Sequence, residues 1–428
     1  MMRAVQIIVT GILMSLFYFP FEFTFLPGIN TKMLLAVVGL GLMGLSFARR
    51  RAFSISRDML ILVLIACCVS IVAYFSQTIH HTPDDTYVTY IVSFLTWFCA
   101  AFTVCSCIKA VHGRIDVVLI VHYLAAVAIS QCAVTMWISY DPAFQRFVDS
   151  YVAQDQTLLH ELDRLYGIGS SLDVAGLRYA LILVALGAVL SMGRLSIGWI
   201  YFDVAAFLVI TVIGNMVART ALVGTAVGLA WIVIAAFLPG KKGRPSLLPW
   251  LLFIAVAVVV CTLLYQFNPQ FRYFFRFAFE GFFSLVEKGQ WQIDSTDRLA
   301  TMVVYPETLH TWILGDGYFE NSRNDINYLG DATDEGFYMG TDIGYLRFIF
   351  YFGVPGMLLM IAVIAWSALI CIRNFPKEKI VFLLALAVGL TVWFKVSTDT
   401  FLFFALFLSA GVLQEDDEHE QQPALENT

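Results

Sequence analysis

Twelve stretches of this chain, about 4–20, 33–48, 59–75, 88–108, 117–139, 175–192, 199–214, 220–238, 248–267, 343–372, 380–394 and 400–413, are nearly unbroken apolar runs. A helix needs about 20 such residues to cross a hydrocarbon core about 30 Å thick. Lipid offers the backbone no hydrogen-bond partner, so only helices and closed barrels can span it. The runs are continuously apolar rather than alternating, which excludes a barrel. Charged residues make up 14% of the 428-residue chain, against roughly 25% in soluble domains. The expected fold is an all-α polytopic membrane protein with about 12 transmembrane helices. The opening segment carries Arg3 and an apolar stretch without a small-residue cleavage site, and so reads as a first span rather than a removed signal.

An even span count puts both termini on one side. With them inside, 14 basic residues lie in inner loops, Arg49-Arg50-Arg51 and Lys241-Lys242 among them, while the short outer loops hold only Lys32, Arg219 and Lys395. That asymmetry favours cytoplasmic termini. The chain then divides into helices 1–5 (1–140), a first outer loop (141–174), helices 6–9 (175–267), a large second outer loop (268–341), helices 10–12 (342–413) and an acidic tail (414–428) expected to be unstructured. Polar mass concentrated on one face points to work done there.

Other functions are excluded by what the chain lacks. A net charge of −6 and no basic stripe argue against nucleic acid. All eight cysteines lie in apolar runs, which argues against disulfides, and Cys105-x-Cys107 has no partner pair for a metal. His80, His81, His112 and His122 have no ligand-spaced partners and read as structural. Asp331, Asp334 and Glu335 lack the spacing of a calcium loop. No catalytic triad, phosphate-cradling loop or dinucleotide fingerprint is present, so no cofactor is expected.

The outer loops are more informative. In Phe271–Lys288 the polar residues Arg272, Arg276, Glu280, Ser284 and Lys288 recur every four positions. That spacing predicts an amphipathic helix lying in the membrane interface. Arg272 and Arg276 could grip a lipid-borne phosphate, or Arg276 could pair with Glu280 one turn away. From Asn268 to Thr341 there are 11 acids and 16 aromatic residues, a composition that suits a carbohydrate and equally suits a compact loop core. Arg219 stands between two apolar runs with almost no loop around it. An ion at such a place is a functional candidate, and its planar fork suits phosphate oxygens; a snorkelling anchor is the bland alternative. Lys395 occupies a similar tight turn, where Asp399 is the expected partner.

Four stretches resemble the O-antigen polymerase family, in the superfamily of the O-antigen ligases. They are Arg164-Leu-Tyr-Gly-Ile-Gly169 with Ala175-Gly176, Arg219-Thr220, Leu314-Gly-Asp-Gly-Tyr318, and the block from Thr341-Asp342 to Gly353 and Gly356. Two departures stand out: Ala218 replaces a family serine, and Asp342 stands where many members have histidine.

The resemblance implies glycosyl transfer between undecaprenyl-pyrophosphate-linked oligosaccharides at the periplasmic face of a bacterial inner membrane, without metal. Arg219 would stabilise the leaving pyrophosphate, and Asp342, or else His310, would act as base. Arg164, Arg272, Arg276, Asp316, Tyr318, Tyr345, Arg347 and Lys395 would bind substrate. Membrane lipids, a chain-length regulator and a flippase of the same pathway are the expected partners. A ligase moving finished chains onto lipid A core is the nearest alternative. A transporter of lipid-linked sugars is the alternative from another class, although the chain has no internal repeat of the kind transporters carry.

Overall fold

The computed structural model describes residues 2–50, 56–154, 156–238, 247–321 and 336–426. A helix covers each of the twelve apolar stretches. α1 (Met2–Tyr18), α2 (Thr31–Arg50), α3 (Arg57–His80), α4 (Tyr90–His112) and α5 (Val117–Tyr140) lead into two short helices of the first outer loop, α6 (Pro142–Tyr151) and α7 (Gln156–Glu161). Next come α8 (Leu172–Leu190) and α9 (Ile197–Val209), which widens into a π turn (Ile210–Gly214) before the single turn α10 (Asn215–Val217). α11 (Ala221–Phe237) and α12 (Leu247–Phe267) follow. The second outer loop folds into α13 (Pro269–Ala278), α14 (Glu280–Lys288), α15 (Asp294–Thr301) and α16 (Leu309–Leu314). α17 (Gly344–Asn374), α18 (Lys379–Val392) and α19 (Phe401–Glu426) complete the chain.

Seven of these, α3, α4, α5, α8, the α9–α10 unit, α12 and α17, are long and apolar enough to cross a membrane. The chain is an all-α multi-pass membrane protein. Among the described residues the only named strands are β1 (Glu22–Phe23) and β2 (Val152–Ala153), which pair antiparallel and tie the α1–α2 connection to the first outer loop. α19 continues to Glu426, so the acidic segment expected to be unstructured extends the last helix.

α8 is the central element. Some 83% of its apolar window is buried, against 6% for α12, which lies at the periphery. α8 can be surrounded because its neighbour is trimmed where the two helices meet: a Cβ added at Gly224 of α11 would lie 2.3 Å from the Ala180 Cα. Small residues at a crossing let backbones approach closely, the main source of packing energy between helices in lipid.

α17 is not one rod. Phe352 and Gly353 leave helical geometry, Gly353 with φ 72°, a region closed to most side chains. Pro355 explains the site of the break: it has no N–H to offer the Tyr351 carbonyl four residues back. The freed carbonyls are taken up elsewhere. Tyr351 O accepts from the Ser76 hydroxyl at 2.7 Å and the Gly317 amide at 3.1 Å, and Phe350 O accepts from the Asp316 amide at 2.5 Å. The Leu314–Tyr318 segment is thereby clamped to α17 just before its break.

Candidate functional site

The second outer loop builds one wall. Asn268 caps α13 by accepting the Phe271 amide at 2.9 Å, with Pro269 in the first turn, a favourable start for a helix. The expected continuous amphipathic helix is interrupted at Phe279 (φ −115°, ψ 29°), so the four-residue polar stripe is divided between α13 and α14. The break changes who pairs with whom. Arg276 and Glu280 do not pair: Arg276 makes a bidentate bond to Glu287 at 2.7 Å, and Glu280 pairs with Arg219. Glu287 holds the Arg276 pKa up, and Arg276 holds the Glu287 carboxyl down. Arg272 turns back to donate to the carbonyls of Tyr265 and Gln266, both at 2.8 Å. It caps α12, which accounts for its charge without a ligand.

Arg219 is the centre of the site. Ala218 is extended (φ −153°, ψ 124°) and separates α10 from α11, so Arg219 leaves the membrane helices at a corner. Its guanidinium lies 4.1 Å from the Phe277 ring centroid, and that of Arg164, brought by the first outer loop, lies 4.0 Å from the same centroid. Burial and then the Arg219 charge lower the Arg164 pKa. Among the described residues Arg164 has no ion pair. Thr220 donates to Asp173 of α8, and Lys395 pairs with the same Asp173 oxygen at 2.6 Å and reaches Thr220 at 3.2 Å. Lys395 is therefore tied to α8 and not to Asp399. Gly176 permits this junction, since a Cβ there would come within 2.8 Å of the Thr220 Cβ. Asp342 stands close enough to feel Arg347, Asp173, Arg298 and Lys395, and burial raises its pKa.

Two spaces meet at Arg219. One, of about 590 Å³, is polar and is lined by Arg164, Arg219, Arg276, Glu280, Asp294 and Arg298 among others. The other, of about 410 Å³, is mostly apolar, with Leu222, Val223, Phe282, Trp291 and Phe394 on its walls and Lys395 at its edge. Arg219 and Glu280 line both.

Other expected site residues lie elsewhere. Asp316 is buried and accepts the hydroxyls of Thr311 at 2.9 Å and Tyr338 at 3.2 Å. Burial lifts its carboxyl above the usual range. Tyr318 is 2% exposed and stacks on Tyr338. Both brace the loop against the α17 break and line neither space. His310 is exposed and meets His80 edge to face at 5.0 Å, on the Asp316 side and apart from Arg219. Tyr345 donates to the Leu390 carbonyl at 2.8 Å and so joins α17 to α18. Arg347 is 3% exposed, lying over Phe319 and Phe337 at 3.6 and 3.2 Å, with Nε and Nη2 unpartnered among the described residues. Asp331, Asp334 and Glu335 lie outside the described residues.

Sequence reasoning did not single out Phe277 or Asp173, marked Thr220 only as the neighbour of Arg219, and gave Glu280 the wrong partner. It also missed a buried pair in the membrane: His122 bonds Asp203 at 3.2 Å and stacks on Trp199 at 4.0 Å. A lone aspartate in the apolar run 199–214 was the signal available for it. No family model, curated protein or solved structure matches this chain. Fold and site define a helical multi-pass membrane protein with the Arg219–Glu280 pair where a polar and an apolar space adjoin.

Proposed function

We propose that the protein polymerises polyprenyl-diphosphate-linked oligosaccharides, with twelve spans, cytoplasmic termini and its site on the periplasmic face of a bacterial inner membrane. The observation that carries this reading is the place of Arg219 on the boundary between an apolar groove and a polar cavity. A lipid-linked sugar has the same two-part character, a hydrocarbon chain and a hydroxyl-rich head joined by a diphosphate. With the chain in the groove and the sugar in the cavity, the diphosphate falls at Arg219, within reach of Arg164. As the anomeric C–O bond breaks, its electron pair goes to the diphosphate, and fixed cations stabilise that growing charge. The acceptor hydroxyl forms the new glycosidic bond and gives up its proton. Asp342 is the base this reading favours over His310, because it belongs to the Lys395–Asp173 neighbourhood.

The test is purified full-length protein supplied with lipid-linked repeat units. Longer lipid-linked chains are expected, and Arg219→Gln should lower their formation by about 10²–10³ while the protein remains inserted. Transfer to lipid A core without chain growth would instead identify a ligase. Movement of the lipid without any new bond would identify a transporter, and either result would overturn the proposal.

A further inference from the structure

Arg219 does not stand open. Glu280 is paired with it, and the two side chains are 13% and 27% exposed. Glu280 is the first residue of α14, directly after the Phe279 break, and its other oxygen faces the Asp294 amide at 3.4 Å. A carboxylate here makes a poor ornament for an anion site, because every incoming phosphate must displace it. Its value lies in what it turns away. The apolar groove that reaches Arg219 suits lipid tails, and bilayer surfaces carry many singly charged headgroups. An uncovered arginine at the end of that groove would bind any of them.

We propose that Glu280 is an ionic filter that closes Arg219 to singly charged headgroups and yields to diphosphates. This rests on reading Arg219 as the diphosphate site. Replacing one carboxylate by one phosphodiester exchanges a single negative charge for another and gains little. A diphosphate brings more charge and a second phosphoryl group, which can engage Arg164 over the same Phe277 ring. Selectivity then comes from the presence of a competitor as much as from attraction.

The experiment uses full-length protein in bilayer discs of phosphatidylcholine, alone or with about one third phosphatidylglycerol, and farnesyl diphosphate as the probe. Wild-type affinity should be the same in both discs. Glu280→Gln should bind the probe about tenfold more tightly in phosphatidylcholine and lose that gain when phosphatidylglycerol is present, whereas Glu280→Asp should behave as wild type. Equal sensitivity of wild type and Glu280→Gln to phosphatidylglycerol would overturn the filter, even where Arg219→Gln still abolishes binding. If Arg219→Gln binds as well as wild type, the site reading itself fails.

Discussion

Arg164, between α7 and α8, and Arg219, at the corner between α10 and α11, rest their guanidinium groups over a single ring, that of Phe277. Two like charges gather there because the ring's electron-rich face offsets part of their repulsion. Phe277 thus acts as a scaffold for two guanidinium groups, one of them paired with Glu280, and α13 holds that scaffold over the corner between α10 and α11.

Phe277→Leu should loosen both arginines. Each cation–π contact is worth about 0.5–1 kcal/mol at a partly exposed position, so a loss of about 1–2 kcal/mol is expected from thermal unfolding in detergent. In a double-mutant cycle with Arg164→Ala the two losses should be less than additive. Strict additivity would mean that the ring and Arg164 are independent.

Asp342 should impose an acid limb on transfer activity. Burial raises its pKa above the ordinary carboxylate value, so the ionised base is lost at a higher pH than for an exposed aspartate. Activity should fall as pH drops through that raised value. Asp342→Asn should reduce the rate by about 10²–10⁴ and abolish the limb. An unchanged pH profile in the asparagine variant would assign the base elsewhere, with His310 next to be tested.

Asp316 should appear in stability, not in chemistry. Its folded pKa is raised by burial, against the opposing hydrogen bonds of Thr311 and Tyr338. A raised carboxyl contributes its stability in full below the unfolded pKa, and that contribution is lost as pH rises through the folded one. Asp316→Asn does not titrate and should flatten the melting temperature across that window. Asp316→Leu strips both hydroxyls of this acceptor and should cost about 1–3 kcal/mol. A wild-type slope in the asparagine variant would place the responsible group elsewhere.

What the sequence makes legible here is what depends on local composition. The twelve apolar runs are helices, the form in which an apolar stretch satisfies its own backbone hydrogen bonds. The corner at Arg219 is legible for the same reason, as a cation between two apolar runs. Pairing is a different matter. Lys395 and Asp173 lie 222 positions apart and Arg219 and Glu280 lie 61 apart, and nothing in their local spacing selects them. The Arg276–Glu280 expectation failed because one nonhelical residue, Phe279, rotates the second half of the stripe away from the first. The Gly-Asp-Gly-Tyr segment is conspicuous in the sequence, yet its glycines serve a clamp on α17: a Cβ at Gly315 would stand 2.4 Å from the Tyr351 carbonyl oxygen.

The π turn at Ile210–Gly214 gives the helix leading to Arg219 one residue more per turn than its neighbours contain. Each residue of an α-helix advances the heading by about 100°, so an extra residue in an unbroken helix would swing everything after it round by that much. The widened loop absorbs the surplus within five positions: delete one residue from it and a plain α-helix closes again on the same compass bearing, whereas a deletion in the regular turns before it would aim the arginine at a different neighbour. The helix thus carries a slack turn just ahead of the corner that the extended Ala218 makes.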